Sequence, residues 1–378
     1  MINIALFFTY DVSLRDWQRL GLLDRELELY NSITKNTDIK FTFVTYGNDD
    51  DKNILTENKN IKIIALGNYL NSKNKYFKLI LSFLIPFKLK KELKNIDILK
   101  TNQLMGSWIP IVLKYIIKKP LIVRTGYDAL DFAIKDKKSK LKIILYYLLT
   151  LVALKCSNMY FVTSRTDIEN IKKRFKFLKV KNIYHRPNWV KITNSKKKIT
   201  ERNKETLLAV GRLETQKNYI NLISNLSDSE LEIDIFGTGS LKKEVKNFAN
   251  KNNLKLNLNE NINHSKLMDL YEDYMFFIMY SKYEGHPKTL IEAMSKGCIP
   301  IILKNENITE IIDHNNNGIL LDSEKDSIEE WIIHLIDNEK EIERLSFNAV
   351  KFVEKHYSLS NSVITENNDY ESLVNKNK

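Results

Sequence analysis

Phe276-Phe277-Ile278-Met279-Tyr280-Ser281-Lys282-Tyr283-Glu284-Gly285-His286-Pro287, running on through Lys288-Thr289-Leu290-Ile291-Glu292-Ala293-Met294 to Gly297, decides how this chain is read. Its first five residues are a short apolar run of the kind that forms a strand buried on both faces, and Ser281–Tyr283 reads as a loop. Pro287 suits the first position of a helix, where its missing N–H would be unpaired anyway and its φ is preset. Gly297 ends that helix, and Ile299-Pro300-Ile301-Ile302-Leu303 is the next strand. The amides of Lys288, Thr289 and Leu290 then have no intrahelical acceptor and lie at the positive end of the helix dipole, a site for an anion such as a phosphate. Glu284 stands just before that site and Glu292 about two turns into the helix. Carboxylates so placed can accept hydrogen bonds from hydroxyls at the two ends of a diphosphate ligand. A plain strand–loop–helix with exposed acids would use the same residues, since Glu is common in first helical turns.

The neighbourhood separates the two readings. Thr206-Leu207-Leu208-Ala209-Val210 is a strand, after which Gly211-Arg212-Leu213 turns into Gln216-Lys217-Asn218 and a helix. Gly permits a tight turn, while Arg offers a planar fork and Lys a point charge to phosphate oxygens. Ile233–Phe236 leads into Gly237-Thr238-Gly239, a glycine turn that is weak evidence alone and supports the rest.

With these residues in view, 281–302 resembles the signature of retaining GT-B glycosyltransferases of family 4 (glycosyl transferases group 1), with its E-x7-E motif. The resemblance implies that Glu284 contacts the donor sugar, Glu292 the ribose hydroxyls, and Arg212 and Lys217 the pyrophosphate. Glu284, Arg212 and Lys217 are then the catalytic set. Gly211, Gly237, Gly239, Gly285, His286, Pro287, Lys288, Thr289 and Leu290 complete the donor site with Glu292. Asn261-Ile262-Asn263-His264 is similar to the loop that brackets the base. The implied activity is transfer of a hexosyl or N-acetylhexosaminyl group from a UDP- or GDP-linked sugar to a glycan or lipid-linked acceptor, with retention, in cell-surface polysaccharide biosynthesis. The nucleotide sugar is a co-substrate, and no metal and no other cofactor is expected. A non-catalytic nucleotide-sugar or glycan-binding protein that kept the fold is the alternative, and four intact polar residues argue against it.

The expected fold is α/β: GT-B, two Rossmann-like doubly wound domains facing across a cleft. At 378 residues, two domains are the default. Apolar β-rich runs alternate with helical patterns throughout: strands at Ile2–Phe8, Phe41–Thr45, Ile61–Leu66, Ile96–Leu99, Leu121–Val123 and Tyr160–Thr163, and helices at Leu14–Ile33, Tyr76–Leu93, Trp108–Ile117 and near 139–155. The polar, Lys-rich stretch Thr193–Lys204 has a linker composition. Residues 1–190 are expected to be the acceptor domain, 205–355 the donor domain, and 356–378 a segment that crosses back to the first. Pro187-Asn188-Trp189-Val190 resembles the family hinge, with Trp189 where glycine is usual.

Specificity is expected from the first domain. The loop Thr9-Tyr10-Asp11-Val12-Ser13 has no glycine, and Arg15, Asp16 and Trp17 open the next helix. Arg124-Thr125-Gly126-Tyr127-Asp128 sits at a strand's C-terminal end, where open α/β sheets bind ligands. Arg15, Trp17, Arg124, Tyr127 and Asp128 are therefore the candidate acceptor residues.

Net charge is +12. The basic residues are spread over the whole chain with no nucleic-acid module, so nucleic acid is not an expected partner. Cys156 and Cys298 make no metal or redox spacing, and Ile2–Phe8 has no basic stretch before it, which together suit a cytoplasmic protein. Two segments suit an anionic membrane surface as a further partner, placing the protein peripherally on the inner face of the plasma membrane. One is Tyr76–Lys94, where Phe83, Leu84 and Phe87 stand beside Lys88, Lys90, Lys91 and Lys94. The other is Lys140–Lys155, whose apolar stretch is too short to span a bilayer.

Overall fold

A computed structural model describes residues 1–55, 58–70, 72, 74–227 and 229–376. It has two compact units, Met1–Arg186 together with Ser362–Lys378, and Pro187–Asn361.

The first unit runs β1 (Ile2–Phe7), α1 (Leu14–Arg19), α2 (Leu23–Asn36), β2 (Ile39–Thr45), β3 (Ile61–Ala65), α3 (Lys75–Ser82), α4 (Ile85–Leu89), β4 (Ile98–Thr101), α5 (Trp108–Ile117), β5 (Leu121–Arg124), α6 (Ala129–Lys135), α7 (Lys140–Cys156), β6 (Met159–Val162), α8 (Arg165–Arg174) and β7 (Ile183–His185). The strands form a parallel sheet in the order β3-β2-β1-β4-β5-β6-β7. Right-handed crossovers put α1 and α2 on one face and α3–α8 on the other. Two expected helices are each broken in two. Leu14–Ile33 is interrupted at Gly21, whose φ of +68° ends α1. Tyr76–Leu93 is interrupted after Ser82, and Pro86 in the first turn of α4 restarts it.

The second unit runs β8 (Thr206–Val210), α9 (Tyr219–Asn225), β9 (Glu232–Phe236), α10 (Lys242–Lys251), β10 (Leu256–Asn259), α11 (His264–Leu270), β11 (Phe276–Met279), α12 (Lys288–Ser295), β12 (Ile299–Leu303), β13 (Ile319–Leu321), α13 (Ile328–Ile336) and α14 (Glu339–Tyr357). Its sheet is parallel too, in the order β10-β9-β8-β11-β12-β13. All of β11 and β12 is buried, because helices cover both faces. Gly297 leaves α12 with φ +80°, a conformation in which a side chain would be strained. Trp189, at the glycine position of the expected hinge, has no positive φ; it is buried beneath the Lys288 ammonium, 5.7 Å from the ring centroid.

The last helix, α15 (Leu359–Lys376), reaches the first unit's sheet through charge. Lys100, in the middle of β4, is 0% exposed. Its ammonium pairs with Glu366 and donates to the Tyr370 hydroxyl at 2.7 Å. Arg186 grips Asp369 with two hydrogen bonds of 2.6 Å. Burial alone would raise the Glu366 carboxyl, but Lys100 and Arg124 outweigh it and hold it below the usual carboxylate range.

Removing one member of a buried pair strands the other. Glu366→Gln should therefore cost about 3–5 kcal/mol in urea unfolding at neutral pH. Because the folded carboxyl is the stronger acid, this contribution is complete above the unfolded value of about 4.3 and fades as pH falls through the folded one. A variant as stable as the parent, or a gap that widens on acidification, would contradict the assignment.

Candidate functional site

In a sheet wound outward from its middle, the strand order reverses once, and the loops beyond the C-terminal ends of the strands part there to leave a crevice. In the second unit the reversal falls between β8 and β11. The two segments that follow these strands are Gly211–Asn218 and Tyr280–Pro287, the stretches singled out in the sequence.

Backbone and side-chain bonds stitch them together. Lys282 N–H donates to the Gln216 carbonyl at 3.0 Å, and Gln216 Nε2 donates to the Tyr283 carbonyl at 2.8 Å. Lys217 Nζ then meets Glu284 Oε1 at 2.5 Å. Glu284 is 8% exposed, and Asn307 Nδ2 fixes its carbonyl at 2.7 Å. Asn218 turns the chain into α9 at φ +59°, in the left-handed region that Asn tolerates. Tyr219, against the same turn, has its phenol raised by burial and by the Glu284 charge. Arg212 is exposed and has no side-chain hydrogen bond or ion pair among the described residues. A Cβ on Gly237 would lie 2.0 Å from the Gly211 carbonyl oxygen, and one on Gly239 2.3 Å from that of Leu213. These two glycines thus let the loop after β9 close onto the Gly211 turn.

The helix begins one residue later than expected. Pro287 (φ −71°, ψ 117°) is the N-cap of α12, and Ile291 N–H is the first to reach back, at 3.5 Å to the Pro287 carbonyl. The amides of Lys288, Thr289 and Leu290 remain its first turn. Gly285 is buried in the loop leading in. The His286 ring is also buried, and it packs edge-on against Tyr357 at 4.6 Å while its carbonyl accepts from Asn188 Nδ2 at 2.6 Å. Its imidazole is therefore part of the core rather than of an open phosphate site. Glu292 is 1% exposed and meets His264 Nε2 at 3.1 Å through Oε1. Lys217 and Glu284 are thus brought together just before α12, while Glu292 within that helix meets a histidine to which the sequence had assigned no partner. Asn307 was also missed, since a lone Asn in a loop carries no spacing to betray it.

The first unit reverses between β1 and β4. The glycine missing from the Thr9–Ser13 loop is supplied by the loop after β4: Gly106, at φ +99°, would put a Cβ 3.1 Å from Tyr10 N. Asp11 makes the turn at φ +63°. A cavity of about 410 Å³ opens beside it, lined by Asp11, Arg15, Asp16, Asn48, Asp50 and Lys78. Arg15 lines it, exposed, with Nη1 3.1 Å from Asp50. Trp17 does not: it is 5% exposed and stacks on Phe8 at 4.3 Å, because the apolar side of α1 must cover the sheet. Asp128 is likewise committed. It caps α6 through Leu130 and Asp131 amides at 3.0 and 3.1 Å and takes Arg174 Nη1 at 2.8 Å. Burial raises its carboxyl despite that arginine. Arg124 lies 3.9 Å from Glu366, and Tyr127 is exposed beside Phe132. Arg15 and this second group occupy the loops of different strands, after β1 and β5. Among the described residues no three His, Cys, Asp or Glu come together as a metal site.

Residues 190–352 match the family described as glycosyl transferases group 1. An uncharacterized glycosyltransferase of Methanocaldococcus jannaschii is 27% identical over 168 residues, 44% of this chain and 48% of that protein. The GtfA subunit of a UDP-N-acetylglucosamine–peptide N-acetylglucosaminyltransferase of Limosilactobacillus reuteri is 29% identical over 177 residues, 44% of this chain and 33% of that protein. This chain therefore spans less than half the length of either relative. Among solved structures, Anabaena HepE in complex with UDP and glucose superposes with a TM-score of 0.74 at 12% identity, covering 98% of this chain and 100% of that one.

Lys217→Met should leave Glu284 buried without its cation and cost about 3 kcal/mol in urea unfolding, whereas pairing it with Glu284→Gln should recover much of the loss. Strictly additive single effects would mean that the contact carries no coupling.

These observations give a chain of GT-B fold, two Rossmann-like α/β units, whose residues 190–352 match glycosyl transferases group 1.

Proposed function

We propose that the protein is a glycosyltransferase that moves a sugar from a nucleoside diphosphate to a glycan or lipid-linked acceptor, with retention of configuration. The observation that carries this is the Lys217–Glu284 pair just before α12, with Glu292 about one turn into that helix. The hard step is departure of the diphosphate while positive charge builds on the sugar ring. Lys217, the exposed Arg212 and the first amides of α12 are a set of cationic and donor groups suited to the leaving phosphates, so the developing anion is stabilised where it forms. Lys217 turning to the phosphate frees Glu284 to accept hydrogen bonds from the sugar hydroxyls, and Glu292 takes those of the ribose. Because cationic groups fill the role of a metal, the reaction runs without one. UDP is the favoured nucleotide, supported by the UDP-N-acetylglucosamine named for the L. reuteri relative and the UDP bound to HepE. The sugar is a hexose or an N-acetylhexosamine, the acceptor is held by the first unit, and the product belongs to a cell-surface polysaccharide made in the cytoplasm.

Turnover of UDP-sugars by the purified protein, followed as UDP release, tests this directly. Arg212→Ala and Lys217→Ala should each lower kcat/KM by about 10- to 150-fold, the equivalent of roughly 1.5–3 kcal/mol for a charge-assisted phosphate contact. Glu292→Ala should chiefly raise the Kd for UDP, and EDTA should leave the rate unchanged. A rate that EDTA abolishes and a divalent metal restores would overturn the metal-free mechanism.

Arg15→Ala should raise the acceptor KM several-fold with UDP-sugar affinity unaltered, since Arg15 lines the first unit's cavity. The reverse pattern in paired titrations would place the donor, not the acceptor, at that cavity.

A further inference from the structure

The helices α3–α8 share one face of the first unit's sheet, and three of them leave apolar side chains in water. On α3, α4 and the two residues that join them these are Tyr76, Phe77, Ile80, Phe83, Leu84 and Phe87, between 51% and 73% exposed. On α7 they are Leu141, Ile144, Leu145, Leu148 and Val152, spaced as one helical stripe, while Thr150, Ala153 and Leu154 on the other side face the core. A surface helix normally turns polar residues outward; α7 is apolar on both sides. Helix α5 packs between the two groups. Its Trp108 donates to Ser82 Oγ at 2.9 Å and stacks on Phe83, and its exposed Tyr115 reaches Cys156 Sγ at 3.4 Å. The outward apolar residues therefore form one continuous face. Apolar patches of this extent mark binding surfaces.

Charge says what binds there. In residues 74–91, 104–123 and 137–156 there are thirteen lysines and no arginine, aspartate or glutamate. Among the described residues, acids pair with this set at Asp11–Lys78, Asp97–Lys119 and Asp136–Lys138, all at its margin. Lys90, Lys91, Lys118, Lys140, Lys142 and Lys155 are exposed and have no ion pair among the described residues. Protein interfaces favour arginine and are depleted of lysine. A second copy placed by two-fold symmetry would set these lysines against one another. An anionic bilayer accepts both features: apolar and aromatic side chains enter the interface, while lysines snorkel to the headgroups.

We propose that this face, α3–α4, α5 and the outer stripe of α7, docks the protein on an anionic lipid bilayer. No helix among the described residues is long and apolar enough to cross a membrane, so the attachment is to its surface. The fold also sets the orientation. Helix α7 ends at Cys156, just before β6 starts, and so at the N-terminal edge of the sheet. Its 17 residues span about 25 Å against about 13 Å for the four of β6, so Leu141 and Ile144 project past the C-terminal edge. Helix α3 reaches that same edge, where Lys78 pairs with Asp11 and lines the cavity beside it. Docking would hold that cavity at the bilayer surface.

Flotation of the full chain with phosphatidylcholine vesicles, with and without phosphatidylglycerol, tests the proposal independently of any transferase activity. The protein should float only with the anionic vesicles, and less as salt rises. Leu145→Asp with Leu148→Asp, and separately Lys140→Glu with Lys142→Glu, should each weaken the partition at least about tenfold with Tm unchanged, since all four side chains are exposed. No flotation of the parent, or undiminished flotation of both double variants, would overturn the proposal. So would a parent that runs as a dimer which Leu148→Asp dissociates, for the face would then join two copies.

Discussion

A parallel sheet that grows outward in both directions from a central strand has to reverse its winding once, and the candidate site of the second unit lies at that reversal. In the second unit it lies between β8 and β11, and the loops after those two strands carry Lys217 and Glu284. Neither charge would be tolerable alone at such burial, because a carboxylate taken out of water must find a cation or several donors. Placed at one crevice by the topology, each answers the other. A ligand that brings its own negative charge to Lys217 and its own hydroxyls to Glu284 replaces one satisfied arrangement by another, so the site can be both stable when empty and receptive when filled.

The first unit solves the same problem with different residues. Its reversal falls between β1 and β4, and the glycine needed for close backbone approach sits at 106, on the loop of the partner strand, rather than in the loop after β1. Asp51 shows the same economy. Fully buried, it accepts from Leu14 N, Arg15 N and Thr45 Oγ1 at 3.1, 3.3 and 2.6 Å, and so caps α1 from another loop. The cavity lined by Arg15 is therefore braced by a buried carboxylate in its own wall.

These contrasts explain what could be read from the sequence. Strands such as Phe276–Met279 and Ile299–Leu303 announce themselves because a doubly covered parallel strand is apolar throughout. Gly211, Arg212, Lys217, Glu284 and Glu292 could be singled out because they lie within two continuous loop–helix segments. Contacts made across the sheet were not: His264 on Glu292, Asn307 on Glu284 and Gly106 on Tyr10 join residues 28, 23 and 96 positions apart with no spacing rule. Trp17 and His286 were misjudged for one reason. Each lies next to a loop residue of chemical interest, and its direction is fixed by an aromatic neighbour, Phe8 or Tyr357, that the local sequence does not reveal. Likewise Asp128, next to Tyr127 at a strand end, is engaged by Arg174 from α8, a helix that the sequence reading passed over.

Lysine usage separates two roles that net charge alone conflates. Where the fold needs a cation inside, it supplies one with a dedicated acid: Lys100 with Glu366, Lys296 with Glu272 at 2.6 Å, Lys217 with Glu284. Arg186 forks onto the Asp369 carboxylate, whereas the buried Arg202 spreads its donors over the Tyr271 and Lys197 carbonyls and the Ser195 hydroxyl. Lys90, Lys91, Lys118, Lys140, Lys142 and Lys155, around α3, α5 and α7, follow neither pattern: they are exposed beside apolar side chains and have no ion pair among the described residues. Set beside phenylalanine and leucine, these lysines are what the proposed docking face rests on, and the length of α7 sets which edge of the sheet that face reaches.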